Sequence, residues 1–347
     1  MTPSPLNHAH RLPARLRSEL ASAAPDPRAI LRWAPEVVAE LSPAAGTTLL
    51  SRWEGLAALG SLDLTVARTL EPHLDALTIL DEAAVPAGQF PDDATWGVFA
   101  AEGRGTRLTA TPAPDGSWSL SGRKPWCSLA GTLSHALVTA WTSETERRLF
   151  AVALRDPRVG VESGTWVSRG LDNVVSSATD FREAPAVPVG EDGWYLRRPG
   201  FALGGIGVAA VWWGAACSLA RRVQASCAER TPDQIALYHL GRCEMRLHAA
   251  GTLLAAIAHD MEATPPRAAS EAWPTALRVR GTVHEACESA LEAVGSVLGP
   301  GPLTQDEECS RMVADLRIYG QQHKPERDVA GLGEALLDGE TASWSAS

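Results

Sequence analysis

At 347 residues the chain exceeds what one hydrophobic core supports, so two or three subdomains are expected. Hydrophobic residues make up 45% and charged residues 21%, the balance of a soluble globular protein, and a net charge of −10 argues against nucleic acid as a bulk electrostatic partner. Six scattered cysteines (Cys127, Cys217, Cys227, Cys243, Cys287, Cys309) form no Cys-x-x-Cys pair and no histidines cluster at ligand spacing, so reduced thiols in a cytoplasm are expected and a metal centre is not.

The first stretch, Met1 to Ala24, carries His and Arg and no apolar targeting segment. Residues 1–90 read as a helical domain. Pro35–Leu41 and Leu49–Leu62 place apolar residues at three-and-four spacing, and Asp63 opens a further amphipathic run. Pro86, Gly88 and Pro91 with two aspartates mark a linker. Residues 91–199 shift to a period of two from Trp96 onward, with turn clusters at Pro112–Gly116 and Arg155–Pro157, as in a compact β-domain. Within it, Gly116–Thr139 reads as two short strands joined by a Gly-Arg-Lys-Pro turn. Residues 200–347 are helical again, over Ala202–Cys227, Gln234–Glu262, Glu271–Leu298 and a shorter piece after Asp306, and amphipathic helices of this kind bury their stripes as a four-helix bundle. Phe201–Ala220 holds twenty residues without a charge, long enough to cross a bilayer. Gly204, Gly205 and Gly207, and the lack of a second such span, favour a buried bundle helix and no membrane span. The fold class is therefore α+β: an N-terminal helical domain, a middle β-domain and a C-terminal four-helix bundle.

The segment Gly116-Ser-Trp-Ser-Leu-Ser-Gly-Arg-Lys-Pro-Trp126-Cys-Ser128 resembles the strand pair of the acyl-CoA dehydrogenase superfamily. The resemblance continues in order. Ser51–Arg68 is similar to the family's helix ending in an Asp-Leu-Ser-Leu-Ala-Arg-like stretch, Gly170–Phe181 with Pro185–Pro188 to the strand pair closing the β-domain, and Arg311–Tyr319 to the approach to the last helix. It implies a flavin cofactor, FAD with FMN as the alternative. Trp126 matches the aromatic wall of the flavin ring and Ser128 the hydroxyl beside its N5 edge, roles that suit a ring needing an apolar face and a hydrogen bond that follows its reduction.

Departures from the family pattern set the alternatives. The flavin-cradling Thr-Glu-Pro-x-x-Gly-Ser-Asp loop corresponds to Ala101–Thr106, which keeps Glu102 and two glycines. Arg230 stands at the pyrophosphate-clamping arginine without the Phe-Gly turn, and Gly295–Gly301 lacks the Gly-Gly-x-Gly pattern. The proton-abstracting Glu falls on His323, a side chain able to act as a base near neutral pH. Flavin monooxygenases of the same superfamily resemble this chain in carrying a His near that point. Three functions follow: a flavoprotein acting on CH–CH bonds of an acyl-CoA or similar thioester, a monooxygenase using reduced flavin, or a non-catalytic relative that has lost flavin affinity. The resemblance also implies a small-molecule substrate, a homodimer or homotetramer, and an electron-transfer flavoprotein or flavin reductase as redox partner.

Overall fold

The computed structural model describes residues 5–8, 11–43 and 46–339. Five helices come first: α1 (Ala14–Ala23), α2 (Pro27–Leu31), α3 (Ala34–Leu41), α4 (Leu49–Leu62) and α5 (Leu64–Glu82). Asp63 both ends α4 and starts α5. Its N–H donates to the Leu59 carbonyl, while its carboxylate accepts from the N–H groups of Thr65 and Val66, satisfying two donors that a helix start leaves open. The other carboxylate oxygen accepts from Arg311, 2.8 Å away, so one capping residue also ties this corner to the C-terminal helices.

Seven strands follow: β1 (Trp96–Phe99), β2 (Leu108–Pro112), β3 (Trp118–Ser128), β4 (His135–Trp141), β5 (Arg147–Ala153), β6 (Val159–Val161) and β7 (Ser176–Val189). The pairing runs β4-β2-β3-β7-β5 and closes from β5 back onto β4, a ring that leaves its members no open edge; β1 extends β4 and β6 pairs β7. Two expectations are corrected here. Trp118–Ser128 is one strand rather than two strands about a turn, and Ser176–Val189 is likewise continuous, with Gly170–Val175 a loop leading into it. Both strands run on because each is the other's partner over most of its length, and irregularities are absorbed as register shifts at Leu120/Gly122 and Lys124/Cys127. Gly122 is required at the first of these. Its φ of +120° is open to glycine alone, and an added Cβ would lie 2.2 Å from the Arg107 carbonyl oxygen.

The chain ends in α6 (Trp194–Arg197), α7 (Pro199–Glu229), α8 (Gln234–Ala263), α9 (Ala269–Ala293), a π-helical turn (Val294–Leu298), α10 (Pro300–Gln305), α11 (Glu307–Tyr319) and α12 (Pro325–Leu337). The helices expected in this region are present, α11 being the shorter piece after Asp306. Three long helices pack together, and α4 of the N-terminal region and the short α11 complete the shell around α7. Gly299, at φ 68°, separates the π-turn from α10, whose first residue is Pro300. The apolar stretch of α7 is long enough to cross a membrane by length and composition, but 67% of it is buried inside the protein. All six cysteines are free.

His73 joins α5 to the β-domain, its Nδ1 accepting from the Trp96 N–H at 3.2 Å. Burial pushes its pKa down from 6.5 to about 4. A depressed histidine pKa contributes stability that is present above 6.5 and lost as pH falls towards 4, worth about 3 kcal/mol for a shift of this size. Glu71 and Asp315, both raised by burial to about 7, act with opposite sign in the same window, so the wild-type profile alone is uninformative. The comparison of wild type with His73→Gln, which keeps an acceptor for Trp96, isolates the effect. The variant should gain roughly 3 kcal/mol on the wild type between pH 6.5 and 4 in urea unfolding. Parallel profiles would mean that His73 titrates normally.

Candidate functional site

The second register shift in β3 determines what its neighbouring side chains face. Strict alternation would turn Lys124 and Trp126 to the same side. The bulge inserts one extra residue, so Lys124 and Cys127 both point inward, each at most 1% exposed, and Trp126 is turned out with 61% of its surface exposed. Trp126 adopts φ 59°, a left-handed conformation uncommon for a bulky side chain. Lys124 keeps its buried ammonium satisfied by Glu102 at 2.7 Å and the Thr139 hydroxyl at 2.8 Å. Glu102 also takes a weaker contact from Arg147 at 3.4 Å. The sequence places Glu102 in a cofactor cradle; in the structure its carboxylate is the counter-ion of Lys124, and its loop rests on Pro125, which Gly103 approaches closely enough that an added Cβ would come within 2.9 Å.

Ser128 lies two residues beyond Trp126 at the end of β3. Its hydroxyl is 2.8 Å from that of Ser176 and accepts from Arg68 at 3.1 Å. Arg68 reaches across from α5, stacks over the Tyr319 ring at 5.6 Å and lies 3.6 Å from Glu71. The Tyr319 hydroxyl donates to Glu71 at 3.2 Å. Polar groups thus run without a break from β3 through α5 to α11. Burial is the largest influence on Glu71 and raises its pKa to about 7, with Arg68 and the Tyr319 hydrogen bond only partly offsetting it. Asp75, one turn further along α5, is also raised, again chiefly by burial and against the pull of Arg198.

Glu71 and Asp75 line a cavity of about 60 Å³ between α3, α4, α5 and α7, enough for a few waters. Its polar wall includes Arg52, Thr78 and Glu82; Leu41, Trp53, Leu56 and Leu203 supply an apolar wall. Arg52 donates to Thr78 at 3.0 Å, and Arg198 holds Glu82 at 2.8 Å and Asp75 at 3.6 Å.

His323 and Arg230 stand elsewhere. His323 precedes α12, its side chain buried, its ring centroid 5.0 Å from that of His284 on α9. Its Nδ1 is 3.0 Å from the Asp328 carboxylate, at ion-pair distance, and its Nε2 is buried without a hydrogen-bond partner. Burial, then the Arg280 charge, lowers its pKa against the opposing pull of Asp328. Arg230 donates to the Val297 carbonyl at 2.7 Å, satisfying an acceptor in the π-turn. Among the described residues no hydrogen bond, ion pair or ring contact joins His323 or Arg230 to Trp126 or Ser128. The structure brings Ser128 together with Arg68, Glu71 and Tyr319, whose roles the sequence analysis did not assign. The available signal was charge on a buried helix face: Arg68, Glu71 and Asp75 recur at three-and-four spacing beside Ala67, Leu70 and Leu74.

No protein-family model and no curated protein matches the sequence. Solved structures do resemble it. KijD3, in complex with dTDP, superimposes with a TM-score of 0.78 at 19% identity over 97% of this chain and 100% of its own. Dibenzothiophene monooxygenase (TdsC) from Paenibacillus sp. A11-2 gives 0.73 at 18% identity over 98% of each chain. Butyryl-CoA dehydrogenase from Megasphaera elsdenii gives 0.73 at 18% over 93% of this chain and 94% of its own. Other structures of TdsC and KijD3 contain FMN. Likeness at this level of identity, extending over nearly the whole of both chains, is a statement about architecture. This chain has an acyl-CoA dehydrogenase-like fold.

Proposed function

We propose that this protein is a flavin-dependent oxidoreductase acting on a small organic molecule, with the isoalloxazine against Trp126 and its reactive edge at Ser128. The observation that carries the proposal is Trp126 itself: a large indole held out to solvent from a left-handed backbone in a strand bulge. Bulges commonly re-aim a side chain, and backbone strain concentrates where a function uses it. The neighbours fit the group. Trp126 excludes water from one ring face, the Ser128 hydroxyl is held in place by Arg68 and Ser176, and Arg68 sets a positive charge beside it. When bound, the flavin supplies a two-electron acceptor.

Arg230 is engaged by the Val297 carbonyl, and this contact favours FMN, the cofactor present with TdsC and KijD3, since FMN needs no clamp for a second phosphate. The cavity beside Glu71 is small, with a charged wall opposite an apolar one, and its size does not suit a long acyl chain. Oxygenation by reduced flavin is the second reading, favoured by the buried His323 imidazole, whose Nε2 has no hydrogen-bond partner, at the position matched to the family's glutamate, and by the likeness to a dibenzothiophene monooxygenase. Incubation with excess FMN or FAD followed by gel filtration tests the central point. The protein fraction should retain a flavin absorption band; a colourless protein with either cofactor overturns the proposal and leaves the non-catalytic reading.

The proposal extends to assembly. Ile235, Leu237, Tyr238 and Met245 are all more than half exposed on α8, and apolar side chains concentrated on one helix suit a homo-oligomeric contact. Sedimentation should give at least twice the 36.8 kDa chain mass; a monomer at micromolar concentration contradicts it.

A further inference from the structure

We propose that Ser176, the first residue of β7, is a positioning residue that sets which redox state of the flavin the site prefers. It takes up the proton of the Ser128 hydroxyl, so that Ser128 meets the flavin as a hydrogen-bond acceptor. This role rests on the flavin reading and is the same for either of the two reactions considered there.

Counting protons along one chain of hydrogen bonds gives the assignment. Arginine has donors and no acceptor, so the Arg68 contact at 3.1 Å occupies a lone pair of Ser128 Oγ. At the other end, the Ser176 hydroxyl donates to the Val174 carbonyl at 3.0 Å. Val174 is buried, and its carbonyl has no other donor among the described residues, so withdrawing this proton would leave it unpaired. A serine hydroxyl has a single proton. With that of Ser176 given to Val174, the 2.8 Å contact between the two hydroxyls has Ser128 as its donor. The chain therefore runs head to tail from the Arg68 N–H through Ser128 and Ser176 to the Val174 carbonyl. In this order each bond polarises and strengthens the next, with a positive charge at the donor end. The reverse order would make Ser128 accept from both neighbours and leave Val174 without a donor.

Toward a ligand, Ser128 then has a lone pair and no proton. Flavin redox states differ at the edge assigned to this hydroxyl: N5 is a bare acceptor in the oxidised ring and carries a hydrogen in the reduced one. An oxidised ring sets lone pair against lone pair, whereas a reduced ring supplies the donor that Ser128 lacks. The Arg68 charge acts in the same direction, because reduction adds electron density, and Glu71 at 3.6 Å offsets part of it. A site that binds the reduced form more tightly raises the potential of the bound flavin by the same factor. For two electrons, a tenfold difference in affinity corresponds to about 30 mV.

Anaerobic titration with FMN, oxidised and dithionite-reduced, reads the two dissociation constants, and the midpoint potential of bound FMN reads their ratio independently. The wild type should bind the reduced form at least about 10-fold more tightly, the scale of one hydrogen bond. Ser176→Ala leaves Arg68 in place and frees the Ser128 proton to turn to oxidised N5. That variant should bind oxidised FMN more tightly than the wild type does, and its potential should fall by about 30 mV as roughly 10-fold of the preference is lost. Ser176→Thr keeps a hydroxyl and should retain the wild-type ratio. A serine needed only for folding would weaken both forms together and leave ratio and potential unchanged. Equal affinities in the wild type, or a Ser176→Ala potential matching the wild type, overturn the role of Ser176 while flavin binding stands. If FMN binds in neither redox state, the flavin reading fails and this role falls with it.

Discussion

Replacement of Trp126 by Ala should weaken flavin binding by roughly 30- to 150-fold, the equivalent of about 2–3 kcal/mol of lost aromatic contact. The indole is 61% exposed, so little of its surface is committed to the protein's own core and most is available to a ligand. The same exposure predicts that folding stability is nearly indifferent to the change. Trp126→Gly sharpens the contrast. A left-handed conformation costs a non-glycine residue about 1–2 kcal/mol, and glycine gives back about 0.5–1 kcal/mol through its greater unfolded-state freedom. The glycine variant should therefore match or exceed the wild type in urea stability while losing flavin as severely as the alanine variant. Isothermal titration with FMN and equilibrium unfolding on the same samples read both quantities. Loss of stability without loss of affinity would make Trp126 a structural residue and remove the main support for the flavin site.

The local signals in the sequence were the ones that became structure with least surprise. Asp63 stands between two apolar periodic runs, and a short acid there has one efficient use, as the cap of the second helix. Strand β3 was visible from its alternation, but its bulge was not, because the extra residue is accommodated only against the partner strand β7, some fifty residues later. That bulge decides which way Trp126 faces, so the motif pointed to the residue while its exposure came from pairing. Glu102 shows the opposite limit. Its place in the loop suggested a cofactor cradle, whereas the buried ammonium of Lys124, twenty-two residues on, claims its carboxylate. Arg68, Glu71 and Tyr319 meet across 248 residues of chain, as do Asp63 and Arg311, and no local pattern encodes such meetings. The end of α9 was placed at Leu298 from apolar spacing; the ladder changes to a π-turn at Val294, where spacing alone gives no warning.

The largest stability effect is expected where α4 crosses α7. Gly60 and Gly214 face each other's helix: a Cβ added to Gly60 would lie 2.1 Å from the Val211 carbonyl oxygen, and one added to Gly214 would lie 1.9 Å from that of Ala57. Both obstacles are backbone atoms of long helices and cannot rotate aside like a side chain. Gly214→Ala must therefore push the helices apart, opening the Leu59, Val211 and Ala215 packing along the crossing, all of it fully buried. Overpacking of a dense core with loss of neighbouring contacts should cost about 2–4 kcal/mol. Gly333→Ala is the control, since Gly333 lies on exposed α12 with nothing within 4 Å, where alanine should stabilise the helix by about 0.5–1 kcal/mol. The double variant Gly60→Ala/Gly214→Ala distinguishes a shared clash from two local ones. If one displacement relieves both contacts, the second alanine adds little, and the pair costs clearly less than the sum of the singles. Additive costs, or a Gly214→Ala protein as stable as the wild type in thermal and urea unfolding, would show that this crossing is not held at glycine distance.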